Sequence, residues 1–250
     1  MKKYVACILL LIIVTGCIKS IAGDDDLVDT KAFHNKVVGA AAADLLRDDT
    51  YRSLTVEIQY MPGFAPDKKA VANLRGFLYE HLQKPGGISI VQKEITSSPD
   101  TVLTLEEAVD IERANRTKFA SKDALTLYIL YTNGYYTDNS ILGWAYRNTS
   151  AVIFGKKIRE QSDRRGKPDR TKLESTVLLH EMGHLLGLVN VGTPLQSAHK
   201  DNGHGKHCKN KQCLMYYKVD TRYIPSLLLK RDIPKLDAAC LEDLQALKNE

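Results

Sequence analysis

The feature that most restricts the fold is a nearly continuous apolar run of eight residues, Ala124 to Tyr131 (ALTLYILY). Successive side chains of a strand point to opposite faces, so a run without polar alternation predicts a strand that is covered on both sides. Such strands lie at the centre of sheets that carry helices. The chain has 250 residues, of which 44% are hydrophobic and 26% charged, and this ordinary globular composition allows one or two domains.

The segments on either side of this run alternate between strand-like and helix-like patterns. Strands are indicated by β-branched residues and alternation, and helices by amphipathic spacing between Gly and Pro breaks. This order predicts an α+β fold, in which helices pack on a mixed, twisted sheet and a helix closes a small irregular C-terminal subdomain. The predicted strands are Leu54–Tyr60, Ile88–Ile95, Ala124–Tyr131, Ile141–Tyr146 and Ala151–Lys156, and the predicted helices are Ala40–Leu46, Pro66–Leu82, Leu103–Thr117, one from Thr171, and one from about Lys235 to Leu247.

The N-terminus has the pattern of an export signal. Lys2 and Lys3 precede an apolar stretch, Tyr4 to Val14, which is too short for an ordinary membrane-spanning helix. The next residues, Thr-Gly-Cys17, complete a string that resembles a bacterial lipobox, and this resemblance implies lipid attachment at Cys17; a plain secretory signal is the alternative. We predict a bacterial cell-envelope lipoprotein on the outer membrane, facing either the periplasm or the outside, with a signal peptide at 1–16, a lipid anchor and tether at 17–31 and one folded domain at 32–250.

The charge of the chain argues against a nucleic-acid partner. The formal net charge of +5 falls to about +3 when Lys2 and Lys3 leave with the signal peptide. Basic residues are scattered except in Arg159–Arg170, a run containing Gly and Pro that is typical of a solvated loop. The scattered charge thus predicts no nucleic-acid partner. The lipid anchor at Cys17 predicts the membrane as a partner, and the oligomeric state is left open.

The segment His180–His184, with the sequence His-Glu-Met-Gly-His, lies in a predicted helix. Thr171 and Glu174 fit a capping box at its start, and Gly187 is placed to end it. Histidines four residues apart on a helix project from one face and can reach a single zinc ion. A glutamate next to them can take a proton from zinc-activated water and pass it to a leaving amine. The segment therefore predicts His180 and His184 as zinc ligands and Glu181 as the catalytic base.

The residues that follow resemble the metzincin signature H-E-x-x-H-x-x-G. In metzincins a glycine, here Gly187, breaks the helix so that a third ligand can fold back to the zinc. The position of that ligand is Asn190 in this chain, and an amide is a poor zinc ligand. The resemblance is thus incomplete at Asn190, which either shapes the turn or marks a degraded site.

A second string, His207-Cys208-x4-Cys213-x-Met215, resembles the corresponding stretch of archaemetzincins. In that family the histidine before the first cysteine is the third zinc ligand. The resemblance implies this role for His207, with Val191–Lys206 as an insertion. His199 and Asn190 remain as alternatives.

Further roles follow from the same resemblance. Met215 resembles the methionine that packs beneath the zinc ligands in the Met-turn, and Tyr217 has the spacing of a tyrosine that helps to stabilise the tetrahedral intermediate. The archaemetzincin string also implies a second zinc at Cys208 and Cys213, but the later C-x-x-C of that family is absent and only Cys240 lies downstream. Outside the cytoplasm, a Cys208–Cys213 disulfide is the prediction, and a second metal is the alternative.

The whole pattern resembles membrane-anchored metalloproteases among bacterial lipoproteins. This implies a zincin/metzincin-like fold, a Zn²⁺ cofactor and a peptide or protein substrate. Three functions are open: an endopeptidase that binds an extended peptide along an edge strand, for which Ala151–Lys156 is the predicted edge; a zinc amidase acting on cell-wall peptides; and a non-catalytic metal-binding or adhesion lipoprotein. Asn190 favours the last function, whereas Glu181 argues against it because a structural zinc needs no general base.

Overall fold

The computed structural model describes residues 30–219, 224, 228–229 and 232–250. The predicted signal peptide, the lipid attachment at Cys17 and nearly all of the tether lie outside the described residues. Within the described part of the chain, none of the helices combines the length and the apolar character that crossing a bilayer requires.

A five-stranded sheet forms the centre of the domain, with the strand order β2-β1-β4-β7-β6. Its first four members run parallel, and β6 runs antiparallel to β7. The apolar run Ala124–Tyr131 forms β4, the middle strand, and every residue after Ala124 is buried, as the sequence predicts. The strands are β1 (Ser53–Tyr60), β2 (Ile88–Glu94), β4 (Ala124–Tyr131), β6 (Gly143–Arg147) and β7 (Ser150–Ile153), and β3 (Val102–Leu103) pairs with β5 (Tyr135–Tyr136) in a second, two-stranded sheet.

Helices cover the main sheet. Helices α3 and α6 pack against each other and contribute to the larger apolar core, while Ile111 of α4 packs against the smaller core around Tyr128 and Phe154. From the end of α6 to residue 219 the chain is largely irregular, with isolated bridges such as Cys208 to Tyr216. The helices whose full range lies in the described part of the chain are α1 (Thr30–Phe33), α2 (Ala42–Leu46), α3 (Lys68–His81), α4 (Leu105–Asn115), α5 (Gly155–Glu160), α6 (Arg170–Leu185) and the C-terminal helix (Ala238–Asn249).

Two local predictions are wrong. The predicted edge strand Ala151–Lys156 is interior, because β7 pairs with β4 on one side and with β6 on the other, and β6 is the edge on that side of the sheet. The start of α6 is capped by Asp169, whose carboxylate accepts a hydrogen bond from the backbone N–H of Lys172. The hydroxyl of Thr171 instead donates a hydrogen bond to the carboxylate of Asp67, so Thr171 makes no capping box.

Candidate metal centres

Helix α6 presents His180 and His184 on one buried face, as their spacing predicts. Their Nε2 atoms lie 3.1 Å apart, and their rings meet edge to face with centroids 4.7 Å apart. His180 is fully buried and His184 nearly so. Two ring nitrogens at this distance point toward one common position, the arrangement that a single bound ion needs.

The irregular segment after α6 brings His207 to this pair. Its ring centroid lies 5.3 Å from that of His180 and 5.1 Å from that of His184, and one ring nitrogen of each histidine lies within 4.8 Å of the others. Asn190 is exposed, with a left-handed φ of 64°, so it lies in the turn that follows the helix. Of the three alternatives for a third ligand, the structure thus brings His207 into the group.

Two of the three imidazoles, those of His180 and His207, are held by backbone carbonyls in a form that suits metal binding. His180 Nδ1 lies 2.7 Å from the carbonyl oxygen of Leu214, and His207 Nδ1 lies 2.8 Å from that of His204. A carbonyl oxygen only accepts, so each Nδ1 carries the proton and each Nε2 keeps its lone pair. Burial, reinforced by the charge of His207, lowers the pKa of His180 to about 3, and burial also lowers the pKa values of His184 and His207.

Glu181 lies between this group and the edge strand. The backbone N–H of Ala145 on β6 donates to its Oε2 at 2.7 Å. Gly143 leaves room for the carboxylate, since a Cβ there would lie 3.0 Å from Glu181 Oε1 and 2.8 Å from Val177 Cγ1. The carboxylate borders a cleft of about 290 Å³, lined by Val38, Gly143, Trp144, Ala145, Glu181, His184, His204, Gly205, Lys206 and His207.

Met215 and Tyr217 occupy different surroundings. Met215 is fully buried against α6, where any side chain at Gly183 would collide with its sulfur. Met215 therefore packs directly against the helix that carries His180 and His184. The ring of Tyr217 is stacked on that of His204, with centroids 3.4 Å apart and planes 6° apart. Tyr217 therefore touches the loop that holds His207.

A second group forms where the sequence predicts a disulfide. Cys208, Cys213 and Cys240 are all buried free thiols, so the structure does not contain the Cys208–Cys213 disulfide. The Sγ atoms of Cys213 and Cys240 lie 3.6 Å apart. Cys208 and Cys240 have ligand atoms within 4.8 Å of those of His199 and Asp237. Cys208 and Cys213 do not form a disulfide with each other, because the three thiols face one cluster together with His199 and Asp237. Hydrogen bonds with the other two thiols lower the pKa of Cys208.

His199 in this cluster is oriented by a buried carboxylate on the C-terminal helix. His199 Nε2 lies 2.6 Å from Oδ2 of Asp243, which is itself fully buried. This bond places the proton on Nε2 and leaves Nδ1 facing Cys240 Sγ at 3.8 Å. A histidine held by a carboxylate on its far nitrogen is a common arrangement for metal ligands. Roles for Asp237 and Asp243 were not predicted from the sequence. The histidines and cysteines of this region were the signal that could have indicated a second cluster here.

Comparisons with known proteins agree with this architecture. No protein-family model matches the sequence, and neither does any curated protein. The chain is similar to the crystal structure of archaemetzincin from Methanopyrus kandleri, with a TM-score of 0.51 and 18% identity over 78% of this chain and 96% of that one. It also matches metalloproteinase-II from Bacteroides fragilis, with a TM-score of 0.46 and 16% identity over 88% of this chain and 61% of that one.

The mixed, mostly parallel sheet with packed helices is the fold that this similarity shows, and it confirms the predicted fold class. Within that class, the similarity that covers nearly the whole of the compared chain is to archaemetzincin. The chain therefore has an archaemetzincin-like fold.

Proposed function

We propose that this protein is a zinc-dependent metallopeptidase that hydrolyses peptide bonds with water. The observation that carries the proposal is the convergence of three histidines, two of which line a cleft together with Glu181 and an edge strand. A purely structural zinc would need neither the glutamate nor the cleft. The similarity of the fold to that of archaemetzincin agrees with this function.

The donor set fits the proposed ion. Zinc favours imidazole nitrogens, and catalytic zinc sites have three protein ligands and one open position. Zinc held by His180, His184 and His207 would supply a Lewis acid that activates water and polarises the substrate carbonyl. Glu181 takes the proton from the water and returns it to the leaving amine. Tyr217 is proposed to help stabilise the oxyanion, a step that requires it to leave His204.

The edge strand supplies a place for the substrate. An extended peptide can add to an exposed sheet edge, where main-chain hydrogen bonds hold it. Strand β6 is that edge in the described sheet, and its residues Gly143 to Ala145 line the cleft. A peptide aligned there would place its backbone beside Glu181.

We propose that the second cluster holds a structural zinc. Three cysteines and one histidine are a standard ligand set for such a site. In this chain they are Cys208, Cys213, Cys240 and His199, while Asp237 caps the C-terminal helix through the N–H of Cys240. This site would tie the C-terminal helix to the segment that carries His207.

A membrane tether remains part of the proposal. It is supported by the lipobox-like string ending at Cys17 and by the short signal-like segment before it. With lipid on Cys17, residues 18–31 would connect the domain to the envelope membrane.

Zinc content of the soluble domain from Ala32 onward tests the two metal assignments. The wild type is expected to retain about two zinc ions after dialysis, one for each proposed site. His207→Ala should lose the thiol-free site, whereas His199→Ala should lose the cysteine-containing site. Replacing zinc by cobalt distinguishes the two sites, because only the cysteine-containing site gives a sulfur-to-cobalt charge-transfer band.

His204→Ala is the matched control for this experiment. His207 Nδ1 donates to the backbone carbonyl of His204, which this substitution keeps, so both metals should remain. If His199→Ala loses the metal of the thiol-free site and His207→Ala keeps it, the third ligand of that site is His199 and not His207. A wild type that binds no metal would contradict the peptidase proposal.

A further inference from the structure

The segment over the metal group carries an unusual share of the positive charge. Residues 191–218 contain five lysines and a single acidic residue, Asp201, in a chain whose formal net charge is +5. Asp201 already pairs with His204, whose Nδ1 lies 2.8 Å from its carboxylate. The charge of this segment is therefore largely uncompensated within it. The five lysines are Lys200, Lys206, Lys209, Lys211 and Lys218.

Lys206 is the lysine of this set that lines the cleft. The cleft wall formed by residues 204–207 faces β6, and Glu181 is the carboxylate among its lining residues. Lys206 is exposed and makes no ion pair with any residue that the structure describes. By contrast, Lys209 is occupied, because its Nζ donates to the carbonyl oxygen of Ala198.

The charge of Lys206 reaches the histidine group. Lys206 directly precedes His207 in the chain, and both residues line the same cleft as His184. A cation so close to these rings lies within reach of a substrate bound across them. Its positive field also attracts anionic molecules toward the cleft before contact.

We propose that the cleft selects peptides that place a carboxylate beside the metal group, and that Lys206 is the specificity-determining residue that pairs with it. This inference rests on the proposed peptidase function and names its substrate class. The carboxylate can come from an Asp or Glu side chain or from the free C-terminus of a peptide. An ion pair at an exposed surface contributes little free energy. A bound peptide would shield this pair from water and strengthen it.

The chain provides its own probe for the test. Trp144 is the sole tryptophan, it lines the cleft, and it is 38% exposed, so peptide binding should change its fluorescence. The zinc-loaded full chain with Glu181→Gln would be titrated with a neutral, C-terminally amidated peptide and with versions carrying one glutamate at successive positions. A neutral peptide with a free C-terminus forms the third arm.

At least one carboxylate-bearing peptide is expected to bind about fivefold tighter than the neutral one, an effect of the size of a partly shielded ion pair. Lys206→Ala should abolish this preference and Lys206→Glu should reverse it. Lys211→Glu makes the same charge change in the same segment but beside a different cavity, so it should keep the preference. The glutamate and free C-terminus arms identify the source of the carboxylate.

Failure of this inference is distinguishable from failure of the proposed function. If all peptides bind equally and the wild type hydrolyses them without regard to charge, the inference is wrong and the peptidase function stands. If Lys211→Glu removes the preference as fully as Lys206→Glu, the assignment to Lys206 is wrong. If no peptide binds and the wild type cleaves none, both are wrong.

Discussion

Replacing Glu181 by glutamine is expected to lower peptide hydrolysis about 10²- to 10⁴-fold while leaving the metal content unchanged, since that is the usual contribution of a general base. Glutamine has nearly the same shape, and its amide oxygen can still accept the hydrogen bond from the N–H of Ala145. It cannot take up a proton from water. The side chain is not one of the three histidines that would hold the ion, so binding of zinc should persist.

The measurements are kcat on a peptide that the wild type cleaves, metal analysis after dialysis, and circular dichroism. Glu174→Gln is a matched control, because Glu174 lies two turns earlier on α6, is buried, and pairs with Arg170. That variant should be less stable but active while folded. Unchanged turnover in Glu181→Gln would show that another group transfers the proton.

Local spacing explains why the centre of the site can be predicted from the sequence. His180 and His184 lie one turn apart on any helix, so their shared face needs no knowledge of the rest of the chain. The apolar run that forms β4 likewise predicts a buried strand from its own residues. His207 came only through a resemblance to archaemetzincins, because the 22 residues between it and His184 follow no periodic pattern. The catalytic and ligand roles of these residues stay predictions.

The parts that sequence reasoning missed depend on contacts between distant segments. The four residues of β7 are all buried, but the pattern of a strand does not specify which neighbours pair with it, and so the edge was misplaced. The thiols of Cys208 and Cys240 meet across 32 positions of the sequence, whereas Cys208 and Cys213 are close in sequence and suggested a local disulfide. Compartment chemistry alone could not reveal that all three face one cluster.

Replacing Cys240 by serine is expected to release the second metal and to lower the melting temperature by roughly 10 °C or more, since a structural zinc contributes several kcal/mol to folding. Cys240 lies on the C-terminal helix, and its thiol joins this helix to Cys213 and to His199. Without the metal, the polar connections between the helix and the irregular segment would be hydrogen bonds, such as those of Asp243 with His199 and Gln196.

The same change should weaken metal binding at the three-histidine group. His207 directly precedes Cys208, and the carbonyl of Leu214, which orients His180, directly follows Cys213, so both supports of the first group adjoin cysteines of the second. Equilibrium dialysis with cobalt would measure both affinities, and thermal unfolding with and without a chelator would measure stability. Ala239→Ser, at the neighbouring position of the same helix, should bind both ions and unfold like the wild type. A wild type whose melting temperature does not change with chelator, and whose cobalt form has no thiolate band, would show that the cysteine cluster binds no metal. The first group would then be held in place without that metal, by the packing of Met215 against α6 and by the carbonyls of Leu214 and His204.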